Sequence, residues 1–333
     1  MRAHTVILGA GATIAAIPDG DRNGKKSSVM NGLIEKLQLS DILSGIDIHT
    51  QSNNLEDIYS ELSLRLECKE IVCQLEKRLY DYFLSLELPD NPTVYDFLVL
   101  SLTSKDVIAT FNWDPLLIQA YVRCYSLTDN LPHIFCLHGN VAMGFCSVHH
   151  EFGTTDAECP ICGKTLSPIK LLYPVTQKDY TSDEYIKGCW EATECIIKES
   201  YMITIFGYSA PASDKKAVDL LKKAWGNLEK RQFEEVSVID VIKEEDIIKR
   251  WNKFIYSHHY KYTNNFFDSY LGMFPRRSCE TIFATYQLNL TPNNGKGFHE
   301  GMSWDDIRNT LSGVLNEERK TPKNKNYPLY YHS

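Results

Sequence analysis

The sequence predicts an α/β fold, a mostly parallel sheet with helices on both faces. Short apolar runs (Thr5–Leu8, Asp106–Phe111, His133–Leu137, Met202–Phe206 and Val236–Asp240) alternate with stretches of helical periodicity. Each run is too short for a helix and stops at glycine or polar residues, as buried parallel strands do. The composition is that of a folded chain, 43% hydrophobic and 23% charged over 333 residues, which argues against disorder.

Thr5–Leu8 is a buried strand running into a tight glycine turn, Gly9-Ala10-Gly11-Ala12-Thr13. Pro18, Asp19 and Gly20 predict a loop soon after it. Ile58, Leu62, Leu66, Val72, Leu75 and Leu79 fall near helical spacing and predict two helices between Leu55 and Leu86, closed by Pro89 and Pro92. A short helix over Thr93–Leu102 leads into the strand Asp106–Phe111, which ends in Asn112-Trp113-Asp114. Pro115 suits the first turn of the helix that follows, through Tyr125. His133–Leu137 is a strand ending in His138-Gly139. Residues 141–167 lack apolar periodicity and are rich in Cys, His, Gly and Thr, as a small inserted module is.

Glu184–Tyr201 predicts a helix and Met202–Phe206 a strand ending in Gly207-Tyr208-Ser209. Ser213-Asp214 predicts a cap for a helix through Trp225. Val236–Asp240 is a further strand, and from Glu244 on the pattern is mostly helical and rich in aromatics. Ser303–Asp306 is a capping-box start for a last helix. The domain reading is residues 1–243, with the insertion at about 141–167, and then a mostly helical region, 244–333.

Composition bounds the function classes. Lys and Arg number 35 against 43 Asp and Glu, a formal charge of −8, which lacks the electrostatic footprint of a nucleic-acid binder. No apolar run approaches the roughly 18 residues that span a bilayer. The apolar stretch after Arg2 loosely mimics a signal peptide, but Gly9 and Gly11 interrupt it and it reads better as strand and turn. Ten scattered cysteines suit buried thiols in a reducing compartment, so a cytoplasmic location is expected and the sequon at Asn289 is a chance match.

Ligands of parallel α/β sheets bind beyond the carboxyl ends of the strands. Gly9–Thr13, Asn112–Asp114, His138-Gly139, Gly207–Ser209 and Asp240 all lie at predicted strand ends and form one candidate site. The glycine turn suits close approach of backbone amides to a pyrophosphate; it lacks the third glycine of a full dinucleotide fingerprint, and its plainer reading is a tight turn that needs small residues. Asn112 can orient a ribose hydroxyl or water, and neutral His138 can accept its proton. The plainer reading makes Asp114 a helix cap and His138 a structural histidine; both roles can coexist.

Cys146, His149, Cys159 and Cys162 have the spacing C-x-x-H then C-x-x-C, two knuckles that can close a tetrahedral zinc site, with His150 as the alternative histidine. Four side-chain ligands make such a site structural, and the alternative is a ribbon that holds no metal. Tyr256, Tyr260, Tyr262, Phe266, Phe267, Tyr270 and Phe274 could stack single-stranded nucleic acid, but no dense Lys/Arg run accompanies them and packing is the better reading. His258-His259 lacks partners at metal spacing.

Together these motifs resemble the sirtuin superfamily, over about residues 5 to 241. The turn at Gly9–Thr13 looks like the family's Gly-Ala-Gly-[Ile/Ala]-Ser. Pro18-Asp19 and then Arg22 look like a spaced Pro-Asp-Phe-Arg loop. Asn112-Trp113-Asp114 stands where sirtuins carry Gln-Asn-Ile-Asp, and His138-Gly139 matches the catalytic His-Gly. The zinc module follows directly, Gly207-Tyr208-Ser209 matches Gly-Thr-Ser, and Asp240 falls where an Asn holds the adenosine ribose.

The resemblance implies an NAD site between a Rossmann-like domain and a smaller one. Gly9, Ala10, Gly11 and Thr13 would cradle the phosphates, with Asp19 and Arg22 in the adjoining loop. Asp114 would hold the nicotinamide amide, Asn112 and His138 would act at the nicotinamide ribose, and Gly207, Tyr208, Ser209 and Asp240 would bind the adenosine side. The departures bear on the reaction. The loop phenylalanine is replaced by the Gly20-Asp21 spacing, and Phe111 stands in place of Gln. The strand that clamps the acyl-lysine peptide in sirtuins corresponds to Leu171–Gln177, where Pro174 cannot donate to a ladder. Residues Gly207–Asp214 look like the divergent sirtuin-like domains of bacterial anti-phage defence proteins, which destroy NAD.

The expected function is therefore an NAD glycohydrolase with NAD as substrate and zinc as a structural ion. Its control would lie in a homo-oligomer or a partner defence protein. A sirtuin-type deacylase and a non-catalytic NAD or ADP-ribose sensor are the alternatives.

Overall fold

The computed structural model of the chain describes residues 2–27, 32–175, 178–227, 229, 231, 234–252, 254, 260–290 and 297–320. Its first half runs β1 (Ala3–Leu8), α1 (Ala10–Ala16), the short α2 (Leu33–Lys36) and α3 (Ser40–Leu43), α4 (Leu55–Ser63), α5 (Lys69–Leu84), α6 (Val94–Leu100), β2 (Val107–Thr110), α7 (Leu116–Cys124) and β3 (His133–Cys136). β4 (Met143–Cys146), β5 (Glu151–Thr154) and β6 (Ser167–Pro168) follow, then α8 (Glu184–Glu199), β7 (Ser200–Phe206), α9 (Lys215–Trp225) and β8 (Glu235–Ile239). The chain continues through α10 (Glu244–Trp251), β9 (Tyr260–Thr263), α11 (Tyr270–Met273), α12 (Ser278–Gln287) and α13 (Trp304–Lys320).

Six strands form one sheet in the order β3-β2-β1-β7-β8-β9, and every neighbouring pair is parallel. The order reverses beside β1, so the fold is a Rossmann-like α/β sheet with its switch point between the two halves. Alternation along β1 divides the core. Val6 and Leu8 face the layer built from α5, α6, α7 and the C-terminal helices, and Ile7 faces the layer that holds Trp190 of α8 and Trp225 of α9. β1 is buried along its whole length, as a central parallel strand must be. The Cys-rich insertion is a separate three-stranded sheet, β5-β4-β6. Among the described residues no helix is long and apolar enough to cross a membrane.

The expected strands are all present, two local readings are corrected, and the mostly helical region after Glu244 gains one strand. The glycine turn after β1 is the start of helix α1, with Gly9 as its extended N-cap. Gly11 disfavours a helix by propensity, but Ala12 and Ala16 bury against the core and packing decides. The region after Glu244 is helical in α10, α12 and α13 but also adds β9, a short edge strand beside β8. Its residues Tyr260, Lys261 and Tyr262 are only half-buried, so it shows no apolar run, and its lysine suits a sheet edge. Asp214 stands at the start of α9, but its side chain makes no capping bond and turns elsewhere.

The C-terminal helices share the main core: Leu271, Phe298, Ile307, Leu311 and Leu315 pack in one cluster with Leu8 and Ala12. Arg276 fastens them. Its buried guanidinium donates to the carbonyls of Leu102 and Asn130 at 3.1 and 2.8 Å and pairs with Glu318 of α13 at 2.5 Å. Ser303 and Asp306 form the expected capping box ahead of α13. Tyr256, His258, His259 and Gln177 lie outside the described residues.

Candidate functional site

Strand register sets the site. Leu8, Thr110, Cys136, Phe206 and Ile239 lie level across the sheet. One further ladder bond per strand carries Gly9, Phe111, Leu137 and Gly207 beyond that line (Gly9 N to Phe206 O 3.1 Å, Phe111 N to Leu8 O 3.0 Å, Leu137 N to Thr110 O 2.9 Å, Gly207 N to Ile239 O 3.0 Å). Sequence-predicted residues from four strands therefore meet at one edge.

The glycines bring two of those ends into backbone contact. Gly207 has φ +59°, and a Cβ there would stand 2.3 Å from Ala12 N. A Cβ at Gly11 would stand 2.8 Å from Gly207 Cα, and Gly11 N donates to Gly207 O at 2.8 Å. Close packing of α1 on the β7 end is thus one reason for both glycines. Ala10 is exposed at this turn.

Asn112 sits two residues beyond β2 in a buried polar knot. Its Nδ2 faces Gly9 O at 2.9 Å, Thr13 Oγ1 at 3.0 Å and Tyr95 OH at 3.1 Å. Thr13 Oγ1 donates to Asp114 Oδ2 at 2.7 Å and lies 2.7 Å from Tyr95 OH. Asp114 Oδ1 accepts from Leu116 N at 3.1 Å, which ties it to the first residue of α7, whose N-cap position is Pro115. Burial raises the Asp114 carboxyl, opposed by the Thr13 hydroxyl and the Leu116 amide, and burial also raises Tyr95 well above its usual value. Asn140 Nδ2 ties the loop after β3 to this knot by donating to Asp114 O at 2.6 Å.

The knot fixes the Asn112 amide. A flip would set Oδ1 against the Gly9 carbonyl oxygen, acceptor against acceptor. Nδ2 therefore faces inward, and Oδ1 takes no hydrogen bond among the described residues.

His138 follows β3 and is 5% exposed. Phe111 meets it edge-on with ring centroids 4.7 Å apart, and Tyr180 stacks on it at 5.9 Å. Its Nε2 lies 3.5 Å from Tyr180 OH and 3.8 Å from Asp214 Oδ1. Burial lowers the imidazole pKa to about 4, against the pull of Asp214 and with the push of Lys178. Asp214 in turn accepts from Lys178 Nζ at 2.6 Å and from Tyr208 OH at 2.9 Å. Phe111 stacks on Tyr208 at 4.2 Å, which joins the ends of β2 and β7 around the histidine. Glu56 of α4 faces the same group: burial raises its carboxyl, Lys178 lowers it and Asp214 raises it.

Other predicted residues stand apart from this group. Asp19 is exposed, and Arg22 pairs with exposed Asp90 at 3.3 Å. Ser209 is exposed beyond Tyr208, and the Asp240 carboxylate accepts from Ile242 N at 3.0 Å. Tyr95, Lys178, Tyr180 and Asp214 belong to the site without being marked as site residues by the sequence motifs. Tyr95 read as part of a helix, and Lys178 and Tyr180 belong to a stretch without periodicity. Asp214 read as a helix cap; its place close behind the β7 end was the one available signal.

The chain after the insertion passes directly over His138. Leu172 N donates to His138 O at 2.9 Å, and a Cβ at Gly139 (φ +80°) would stand 2.2 Å from Lys170 O. Residues 171–175 form no strand, and the Pro174 carbonyl accepts from Ser60 Oγ at 2.9 Å.

The side chains of Cys146, His149, Cys159 and Cys162 converge with their ligand atoms all within 4.8 Å of one another. Cys146 Sγ lies 3.6 Å and Cys159 Sγ 3.5 Å from His149 Nδ1, and Cys146 and Cys162 are 4.0 Å apart. A tetrahedral zinc with ordinary bond lengths needs edges of roughly 3.6–3.8 Å, so the donor set fits. His150 points elsewhere and pairs with Glu184 at 3.3 Å.

No protein-family model matches the chain, and no curated protein matches it significantly. Among solved structures it is similar to Sir2 bound to acetylated peptide, with 13% identity and TM-score 0.39 over 86% of this chain and 93% of that one. It is also similar to Sir2 with p53 peptide and NAD+, at 14% identity and TM-score 0.38 over 78% and 87% of the two chains. Sir2 in complex with the inhibitor EX-527, 2'-O-acetyl-ADP-ribose and deacetylated p53 peptide shares 13% identity at TM-score 0.38 over 86% and 94%.

Proposed function

We propose that the chain is an NAD glycohydrolase that cleaves the nicotinamide–ribose bond to give nicotinamide and ADP-ribose. The observation that carries the reading is the pair at neighbouring strand ends: Asn112, its amide fixed and its Oδ1 without a hydrogen bond among the described residues, and His138 held neutral by burial. Together they can orient a hydroxyl or water and take its proton. As the bond breaks, its electron pair leaves with the nicotinamide ring nitrogen, which departs neutral and needs no acid. Water then forms the new bond at the oxocarbenium-like carbon, and its proton passes to His138.

NAD would lie along the strand ends, with its phosphates at the Gly9–Thr13 turn and its adenosine toward Gly207, Tyr208, Ser209 and Asp240. Cys146, His149, Cys159 and Cys162 would hold one zinc whose role is structural, since all four positions are protein side chains. Hydrolysis needs no peptide, and the non-strand course of residues 171–175 supports a reaction without one. A role in bacterial anti-phage defence, in the cytoplasm and restrained through a homo-oligomer or a partner protein, is the setting we propose from the motif resemblance.

The test is chromatography of protein mixed with NAD, with and without an acetyl-lysine peptide. Nicotinamide and ADP-ribose are expected in equal amounts in both, with no acetyl-ADP-ribose. Release that requires peptide would replace the hydrolase with a deacylase. Binding of NAD without release at any protein concentration would replace it with a sensor.

A further inference from the structure

His138 is set among aromatic rings, and Asp214 is the charged group that stands within ion-pair distance of it among the described residues. Phe111 and Tyr180 flank the ring, and Trp190 packs behind them, with centroids 6.1 Å from Phe111 and 4.7 Å from Tyr180. Asp214 Oδ1 stands 3.8 Å from Nε2, too far for a hydrogen bond and close enough for an ion pair. Both oxygens of Asp214 are already held, Oδ1 by Lys178 Nζ at 2.6 Å and Oδ2 by Tyr208 OH at 2.9 Å. Asp214 and Lys178 are both buried, with side chains 6% and 3% exposed. A buried charge pair is costly unless well bonded, and its charges act strongly at short range in a dry site.

We infer that Asp214, clamped by Lys178 and Tyr208, is a positioning residue that serves as counter-ion to the imidazolium formed when His138 accepts a proton. Lys178 balances the carboxylate before that step, so the imidazole waits neutral. When a proton leaves the attacking water, its electron pair stays with the oxygen and the proton joins an imidazole nitrogen; the new positive charge then lies within ion-pair distance of Asp214. The charged and titratable groups around the ring are Asp214, Lys178, Tyr180 and Tyr208, with Glu56 from α4 and Lys216 over the Tyr180 ring at 5.6 Å.

The catalytic part of this inference rests on the hydrolase reading; the coupling of the three side chains does not. Isotope-labelled histidine in the full chain, with His138 identified by its loss in His138→Gln, reads the imidazole titration by NMR independently of turnover. The expected order of midpoints is Lys178→Gln highest, Asp214→Asn lowest, and the wild type and the Lys178→Gln/Asp214→Asn double variant between them. Gln and Asn keep hydrogen-bonding groups in place, and the order remains testable if one variant does not fold. Lys178→Gln should lie at least about one pH unit above wild type, the scale of an uncompensated neighbouring charge. Identical midpoints, or the reverse order, overturn the inference. In parallel, Asp214→Asn should lower kcat for nicotinamide release at least about tenfold with little change in KM, and the acid limb of the Lys178→Gln profile should shift with its NMR midpoint. Unchanged kcat in Asp214→Asn removes the counter-ion role. If wild-type protein releases no nicotinamide while the NMR order holds, the hydrolase reading fails and the coupling stands.

Discussion

Asn112 Nδ2 donates to the carbonyl of Gly9 at 2.9 Å, and this bond between the ends of β2 and β1 decides which side of the amide serves the site. It makes Asn112 an acceptor toward a substrate. Asn112→Ala should lower NAD cleavage by about 10²-fold or more and weaken the knot by the loss of the Nδ2 bonds, about 0.5–1.5 kcal/mol each, while Thr13 keeps Asp114 and Tyr95 as partners. Nicotinamide release and urea denaturation measured together check both effects. Wild-type turnover in a folded variant would remove Asn112 from the chemistry.

His138→Ala should lower cleavage by about 10²–10⁴-fold, the usual range for a positioned base, with NAD binding retained. Single-turnover release and NAD titration separate the two steps. Near-normal turnover would leave His138 a core histidine of the β3 end.

The metal prediction concerns stability. Protein purified without chelator should carry one zinc per chain, as metal analysis can show, and Cys159→Ser should lose it. Cys159 is buried at the centre of the insertion, so its loss should unfold residues around β4–β6, seen as new protease sensitivity there. Metal-free protein with an intact insertion would contradict this. His150→Ala should keep the zinc, since that ring pairs with Glu184.

Buried histidines set an acid limit. Burial lowers both His4 and His138 to about 4; His4 is further raised by Asp106 and lowered by Lys105. Unfolded imidazoles titrate near ~6.5, so below that pH the unfolded chain binds more protons and stability falls, by at most about 1.4 kcal/mol per pH unit for each ring, until the folded values are reached. Glu235 runs the other way: burial raises it to about 7, against Tyr270 and Lys261, and its contribution is lost as pH rises from its unfolded value toward 7. The His4→Gln variant isolates the contribution of one ring. Its melting temperature should fall less than that of the wild type between pH 6.5 and 4, and parallel curves would show that His4 does not titrate as a neutral buried ring.

The strand ends were legible because each apolar run stops at a residue whose chemistry differs from the core: Gly9, Asn112, His138 and Gly207 all mark their own positions. The convergence of Cys146, His149, Cys159 and Cys162 was legible from spacing alone. Lys178 and Asp214 were not, because their relation is tertiary: 36 residues separate them in the chain, and Asp214 also satisfies the local pattern of a helix cap. β9 was hidden for a different reason, since four residues at a half-buried edge, one of them Lys261, carry no alternation strong enough to compete with the surrounding helical pattern. α1 was hidden by Gly11, whose low helix propensity is overridden by close packing on Gly207.

The last prediction follows from where β9 and α13 lie. A regulatory extension could be removed without harm to the sheet, but here β9 pairs with β8 and Leu311 and Leu315 pack in the main core. Removing residues 244–333 should therefore give unfolded or aggregated protein rather than a released, hyperactive enzyme. Arg276 offers a milder probe. Its side chain is fully buried and its partner Glu318 is 12% exposed, so Glu318→Ala leaves a buried guanidinium with carbonyls but no counter-ion. Breaking a buried pair in this way costs ~3–5 kcal/mol, whereas the exposed Lys77–Asp81 pair on α5 should be worth about 1 kcal/mol or less. Denaturant unfolding of Glu318→Ala beside Asp81→Ala gives the comparison. A folded, active fragment ending at residue 243 would show that the C-terminal helices are an addition to the core and not a part of it.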